Sequence, residues 1–176
     1  MITFSNKKLI LVMLFLFIST LNSKAVWANE TAFNADELAQ IKQQHMGKKW
    51  LMLLWSVDCP PCFKELKLLK NMSQKHENLA IVIVNIDEQV TAAERQQIIN
   101  EYQLQSLQHF YFLDGQSDIN RYVIDPDWYG ELPRSYFVDA TGKFYGKSGL
   151  VGEELLNKWL IYSNNKMLIT QHNSRH

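Results

Sequence analysis

Apolar residues follow two patterns along the chain, and each pattern predicts a different kind of element. Continuous apolar runs predict buried strands at 50–55, 79–87 and 109–113, and the β-branched run in the second is typical of a strand buried on both faces of a parallel sheet. Apolar residues spaced three or four apart predict helices at 34–47, 63–75, 91–104 and 153–162, with a short helix expected within 119–129. The turn Asp139–Gly142 lies between two further apolar segments and predicts a hairpin. Strands separated by helices and closed by a hairpin predict an α/β sandwich.

Two of the predicted helices begin with capping signals. Asn34 is a candidate N-cap with Glu37 three residues later, and Thr91 and Glu94 repeat that spacing. Met46 continues the apolar spacing of the first helix, so we expect it on the buried face.

Length and charge limit the classes of function. A chain of 176 residues permits one domain, and its 18 basic residues balance 18 acidic ones. This balance gives no reason to expect a nucleic acid or an anionic membrane surface as a partner.

The N-terminal segment has the pattern of a secretory signal peptide. Lys7 and Lys8 precede an apolar run, Leu9–Leu21, that is shorter than the about 20 residues of a membrane-spanning helix. We expect cleavage after Ala28, with Ala25 as the second choice and an uncleaved anchor as the alternative. The predicted organisation is a signal peptide at 1–28, one domain at 29–163 and a flexible tail at 164–176. The protein would then be exported, to the periplasm or another extracytoplasmic space.

Cys59 and Cys62 are the two cysteines of the chain and lie where the first buried strand meets the following helix. The first turn of a helix offers unpaired N–H groups and the positive end of the dipole, which lower the pKa of a thiol. Pro60 and Pro61 lack N–H groups and fix φ near the helical value. We therefore predict that Cys59 is a redox nucleophile and that Cys62 is the resolving thiol.

A zinc site and a purely structural disulfide are the alternatives. A structural zinc site needs two more Cys or His at characteristic spacing, and the five His residues show none. A disulfide across two intervening residues closes almost no loop, so it stabilises the fold little. No metal or organic cofactor is therefore expected.

These motifs resemble the TlpA-like branch of the thioredoxin superfamily, extracytoplasmic thiol-disulfide oxidoreductases with the signature Trp-x-x-x-Cys-x-Pro-Cys-x-x-Glu. The residues on that signature are Trp55, Cys59, Pro61, Cys62 and Glu65. Val84–Asp87 resembles the second core strand of the family, and Leu132–Lys143 resembles its cis-proline strand and hairpin. The resemblance covers about residues 33–162 and implies a thioredoxin-like three-layer sandwich with a central mixed sheet flanked by helices.

The same resemblance implies where a substrate binds. A cis Leu132–Pro133 bond would face the cysteines, and the backbone of Leu132 would pair with an extended segment of the substrate. We expect Arg134 and Trp55 to complete this substrate-binding surface. An ordinary trans proline at the start of an edge strand is the alternative for Pro133.

Two departures from thioredoxin itself concern proton transfer. Leu53 and Val84 stand where thioredoxins carry a buried Asp and a Lys, so the usual proton relay is absent. Glu65 matches the carboxylate of TlpA-like proteins and could accept the proton of Cys62. The alternative is an acid that only favours the N-terminal turn of its helix.

Asp58 is the third departure, because thioredoxins have Trp there. Its carboxylate would disfavour the Cys59 thiolate, while Arg134 could restore positive potential. A less stabilised thiolate makes a couple less oxidising, so this favours a reductase. An Asp58 side chain that points into water is the alternative.

The sequence thus predicts an exported thiol-disulfide oxidoreductase, more reducing than oxidising. Its partners would be protein thiols or disulfides of exported clients, together with a membrane or soluble redox partner that regenerates the pair. A copper chaperone that uses the thiolates of Cys59 and Cys62 is the second hypothesis. A non-catalytic interaction module is the third, and the intact Cys pair argues against it.

Overall fold

The computed structural model describes residues 29–76 and 78–162, and the expected signal peptide (1–28) and tail (164–176) lie outside the described residues. The elements, in chain order, are β1 (Glu30–Ala32), α1 (Ala35–Gln44), β2 (Trp50–Trp55), α2 (Pro60–Lys75), β3 (Ile81–Asn85), α3 (Ala92–Glu101), β4 (Gln108–Tyr111), α4 (Ser117–Ile124), β5 (Arg134–Val138), β6 (Phe144–Ser148) and α5 (Glu153–Leu156), which continues as a π-helix over Asn157–Tyr162. Within the described ranges, no helix has the length and apolar character needed to cross a membrane.

The six strands form one mixed sheet in the order β1-β4-β3-β2-β5-β6. The first four strands of that order pair in parallel, whereas β5 and β6 run antiparallel to their neighbours. The sequence pattern does not predict β1, because Glu30–Ala32 carries no apolar run; its pairing with β4 makes it a strand. The strand that precedes the cysteines, β2, therefore lies in the interior of the sheet.

Both faces of β2 are buried, and the two faces build two separate cores. Leu51, Leu53 and Trp55 pack with residues of α2, α3 and the C-terminal helix. Met52 and Leu54 pack on the opposite face with residues of α1 and α4. Helices thus cover both faces of the sheet, and the predicted three-layer α/β sandwich is confirmed.

The predicted helix caps are confirmed, while one predicted core residue is wrong. The Asn34 side chain accepts a hydrogen bond from the Glu37 N–H at 2.9 Å, and Thr91 and Glu94 form a reciprocal capping box. The first helix ends at Gln44, before the predicted end of the segment. Met46 therefore lies beyond the helix and is 74% exposed.

Candidate active site

The Cys pair lies at the junction of β2 and α2, as the sequence predicts. Cys59 is the N-cap of α2, and Pro60 and Pro61 are its first two helical residues. The Cys62 N–H donates to the Cys59 sulfur at 3.2 Å, so this sulfur takes the place of a capping oxygen. A thiolate at this position would receive the same N–H together with the positive end of the helix dipole.

The two sulfurs form a disulfide and differ in exposure. Cys59 is 7% exposed, whereas Cys62 is 0% exposed. Of the two cysteines, Cys59 is therefore the one that a partner molecule can approach, whereas Cys62 is closed to solvent. This asymmetry is what separates a nucleophilic from a resolving cysteine in dithiol exchange.

Glu65 is a buried carboxylate on the helix that carries the pair. It lies three residues after Cys62, on the same side of α2, and is 3% exposed. Its Oε1 accepts the Val151 N–H at 2.7 Å, while its Oε2 is buried with no hydrogen-bond partner among the described residues. Burial is the main cause that raises the pKa of Glu65 to about 7, against the opposing effects of the Val151 hydrogen bond and of Lys147.

The position of Glu65 in α2 argues against the alternative that this acid only favours the N-terminal turn of its helix. The helix begins at Pro60, so Glu65 lies in the second turn, and the first turn contains no acidic residue. The helix dipole acts mainly within the first turn and favours an ionised acid there. A buried carboxyl with a raised pKa and a free oxygen fits a proton acceptor better than a dipole-stabilising acid.

Leu53 and Val84 are buried apolar residues of β2 and β3. The positions that hold the thioredoxin relay therefore have no titratable group here. A proton from the buried thiol of Cys62 has no acceptor in these two strand positions, whereas Glu65 lies one helical turn away.

Asp58 is exposed beside the nucleophile. Its backbone N–H donates to the Ser56 Oγ at 3.0 Å, which shapes the turn before Cys59. Because an exposed carboxylate is screened by water and salt, the structure favours the alternative in which Asp58 has little effect on the thiol.

The bond between Leu132 and Pro133 is cis, as the resemblance implies. Leu132 is partly buried and packs against the core that contains both cysteines, while Pro133 is buried at the start of β5. The Pro133 carbonyl oxygen accepts the Gly149 N–H at 2.9 Å, which ties this segment to the end of β6.

Two expected substrate contacts are wrong. Trp55 is 1% exposed, so its side chain belongs to the core and presents no surface to a client. Arg134 lies opposite Leu54 in the sheet, on the face away from α2 and the cysteines. It pairs there with Asp125 at 2.8 Å and Glu131 at 3.2 Å, so its charge is already neutralised.

A further set of polar contacts at the site was not predicted. Asp87 follows β3, and its Oδ2 accepts the Val57 N–H at 2.8 Å, in the turn just before Cys59. The same oxygen accepts the Asn85 side-chain N–H at 2.8 Å. The sequence signal is an Asn-x-Asp that follows a buried apolar strand, a position where polar side chains lie at the edge of a parallel sheet.

Within the described residues, no group of three or more His, Cys, Asp or Glu side chains is arranged to hold a metal ion. The arrangement offers a reversible disulfide with one accessible sulfur, a buried acid one helical turn from the other sulfur, and a cis-proline segment beside the same core. This arrangement is suited to dithiol-disulfide exchange.

A central parallel strand that ends in this Cys pair, a cis-proline before the antiparallel strand and helices on both faces are the features of the thioredoxin fold, and the chain adopts this fold. No protein-family model matches the chain. Among solved structures, it is similar to a thioredoxin-family thiol:disulfide interchange protein from Chlorobium tepidum TLS, with a TM-score of 0.52, 14% identity and coverage of 68% of this chain and 79% of that one. It is also similar to a secreted Mycobacterium tuberculosis disulfide oxidoreductase homologous to E. coli DsbE, with a TM-score of 0.50, 18% identity and coverage of 66% and 82%.

Among curated proteins, the chain is similar to the thiol-disulfide oxidoreductase ResA of Bacillus thuringiensis (strain Al Hakam). The two are 27% identical over 109 residues, which cover 61% of this chain and 57% of the relative. The match thus spans less than two thirds of the relative's length.

Proposed function

We propose that the protein is an exported thiol-disulfide oxidoreductase that exchanges the Cys59–Cys62 disulfide with protein clients. The observation that carries this proposal is the disulfide at the start of α2, in which Cys59 keeps some solvent exposure and Cys62 has none. The similarity to ResA, a named thiol-disulfide oxidoreductase, supports the same chemistry.

In the reducing direction, the Cys59 thiolate attacks one sulfur of a client disulfide. The client S–S bond breaks, a mixed disulfide forms, and the departing client thiolate takes up a proton from solvent. Cys62 then attacks the Cys59 sulfur, which releases the second client thiolate and restores the intramolecular disulfide. The client gains two electrons and two protons, and the protein dithiol loses them.

Glu65 accepts the proton of Cys62 during the second attack. Cys62 has no contact with solvent, so its proton needs an acceptor inside the protein. The Glu65 carboxyl has a pKa of about 7 and a free buried oxygen, and a base with a pKa near the working pH transfers protons efficiently.

The same carboxylate supports the reducing direction. A negative charge one helical turn from Cys62 disfavours thiolate there, and a less stabilised thiolate makes the couple less oxidising. Asp58 is exposed and contributes little to this effect.

Clients bind at the cis-proline segment in this proposal. Leu132 packs beside the core that contains the cysteines, and its backbone precedes β5, so an extended client segment can pair with it. The clients are exported proteins with thiols or disulfides, and a membrane or soluble redox partner regenerates the pair. Export depends on the expected signal peptide at 1–28, and one similar protein is described as secreted.

The proposal is tested by equilibrating the purified protein with glutathione buffers and following the Cys59–Cys62 disulfide, and by an insulin-reduction assay. We expect reversible two-electron titration and insulin reduction. A protein that neither exchanges with glutathione nor reduces insulin would contradict the proposal. Titration of the reduced protein with Cu(I), scored for stoichiometric tight binding, distinguishes the copper-chaperone alternative.

A further inference from the structure

The turn that carries the nucleophile is closed by hydrogen bonds between its own residues. The Cys59 N–H donates to the Ser56 carbonyl oxygen at 3.2 Å, and the Asp58 N–H donates to the Ser56 Oγ at 3.0 Å. These bonds shape the turn internally, but they do not fix it relative to the sheet.

Asp87 supplies a bond from the turn to the neighbouring strand. Its Oδ2 accepts the Val57 N–H at 2.8 Å, across the gap between the ends of β2 and β3. Val57 lies at the middle of the turn, two residues before Cys59. A shift of this N–H would therefore move the backbone that carries the nucleophilic sulfur.

The Asp87 carboxylate is itself held in place. Its Oδ2 also accepts from the Asn85 side-chain N–H at 2.8 Å, and its own N–H donates to the Asn85 Oδ1 at 3.3 Å. Asn85 is buried and lies opposite Trp55 in the β2–β3 register. The carboxylate is thus fixed to the rigid end of β3, and the turn is fixed to the carboxylate.

From this arrangement we propose that Asp87 is a positioning residue, which acts through the Val57 N–H to hold the Ser56–Cys59 turn and the Cys59 sulfur in the orientation for attack on a disulfide. The inference rests on the proposed thiol-disulfide exchange, and it assigns Asp87 no contact with the reacting sulfurs. Its function depends on an acceptor oxygen and not on the negative charge.

The acceptor and the charge can be separated by substitution. Asp87→Asn keeps an oxygen that can accept from both Val57 and Asn85 but removes the charge, whereas Asp87→Ala removes the acceptor. Glu88→Ala is the matched control. In wild type the Glu88 Oε1 accepts the Ser117 N–H at 2.8 Å, so Glu88 ties the same loop to α4 and not to the Ser56–Cys59 turn.

The experiment measures the single-turnover rate at which each reduced variant attacks oxidised glutathione, together with the Cys59 pKa from thiolate absorbance and the thermal stability. For Asp87→Ala we expect an attack rate lower by about fivefold to tenfold, the factor that corresponds to the loss of one ordinary hydrogen bond. Asp87→Asn should stay within about twofold of wild type because the acceptor remains. Glu88→Ala should leave the attack rate and the Cys59 pKa unchanged.

Equal changes in the Asn and Ala variants would show a charge effect and overturn the proposal, as would an Ala variant with the wild-type rate. A loss in Glu88→Ala as large as in Asp87→Ala would also overturn it, because any loosening of the loop would then suffice. If Asp87→Ala does not fold, hydrogen exchange of the Val57 amide in wild type tests the proposal instead. Slow exchange supports the hydrogen bond from Val57 to Asp87, and solvent-like exchange overturns the proposal. Absence of glutathione exchange in wild type would instead contradict the proposed function, and hydrogen exchange of the Val57 amide would still test the hydrogen bond to Asp87.

Discussion

The Val151 N–H donates to Glu65 Oε1 at 2.7 Å and leaves the second oxygen of the carboxylate buried without a partner among the described residues. Val151 precedes α5, so the segment after the hairpin closes over the helix that carries the cysteines. One oxygen of the carboxyl is held while the other is available to a proton.

Glu65→Gln should slow the attack of Cys62 on the mixed disulfide by about tenfold or more, because the amide cannot accept the thiol proton. In wild type this rate should rise with pH through about 7, where Glu65 ionises, and in the variant that rise should be lost. The measurement is the single-turnover decay of a mixed disulfide against pH. We expect the reduction potential to increase by less than about 30 mV, so the rate changes more than the equilibrium.

The control for this variant is Glu153→Gln, which changes an exposed carboxylate that pairs with Lys75 at the surface. It should leave the pH profile of resolution as in wild type. Identical single-turnover rates for the Glu65→Gln variant and wild type at every pH would remove the proton-acceptor role of Glu65.

The same buried acid makes stability depend on pH. Its folded pKa of about 7 lies above the ordinary value of 4.5, so the folded state holds the proton more tightly than the unfolded state does. The resulting stabilisation is fully present below about 4.5 and is lost as the pH rises to about 7, by up to about 3 kcal/mol. Urea unfolding of the oxidised protein across this range should show the decline in wild type and a flatter profile for Glu65→Gln.

The two cysteines should respond differently to substitution. Cys59→Ser should abolish insulin reduction, since the accessible nucleophile is lost, whereas Cys62→Ser should accumulate mixed disulfides with clients. In the reduced wild-type protein, iodoacetamide should alkylate Cys59 much faster than Cys62, as measured by peptide mass spectrometry. Faster alkylation of Cys62 would reverse the two roles.

Asp58→Asn should change the Cys59 pKa only slightly. The sequence alone suggests a carboxylate that disfavours the thiolate, but the exposed side chain is screened by water and salt. Thiolate absorbance against pH at low and high salt measures the effect. A clear fall in the Cys59 pKa that disappears at high salt would show that the charge does reach the sulfur through solvent.

Local sequence patterns predict most of this fold because the strands and helices carry their own signals. The apolar run of β2, the cap at Asn34 and the capping box at Thr91 and Glu94 each depend on residues close together in the chain. The last helix is less regular than its apolar spacing predicts, because it changes from α to π geometry at Asn157.

The parts of the site that the sequence does not predict depend on contacts between distant residues. The side on which Arg134 lies is set by its register opposite Leu54, and the burial of Glu65 depends on a segment 86 residues later. Asp87 and Val57 are likewise separated by 30 residues. Spacing along one segment can suggest a residue's chemistry, but not the neighbours that neutralise, bury or orient it.

The hairpin offers a last prediction, on Gly146 of β6 and Arg134 of β5. A Cβ at Gly146 would lie 2.8 Å from Arg134 Cζ, so the guanidinium occupies the space that a side chain would need. Arg134 cannot easily move, since it donates to Asp125 at 2.8 Å and to Ser148 at 2.7 Å. Gly146→Ala should therefore displace Arg134 from these partners and lower the free energy of unfolding by about 1–3 kcal/mol.

A double-mutant cycle tests whether that cost comes through Arg134. In an Arg134→Ala background the two closest contacts of that Cβ are gone and the nearest remaining atom is Tyr136 Cε1 at 3.1 Å, so Gly146→Ala should cost much less. We expect a coupling free energy of at least about 1 kcal/mol from urea unfolding of the four proteins. Additive costs would mean that Tyr136 or the strand backbone, and not the guanidinium, excludes a side chain at position 146. Because Arg134 lies on the face away from the cysteines, the Cys59 pKa should be the same in all four proteins.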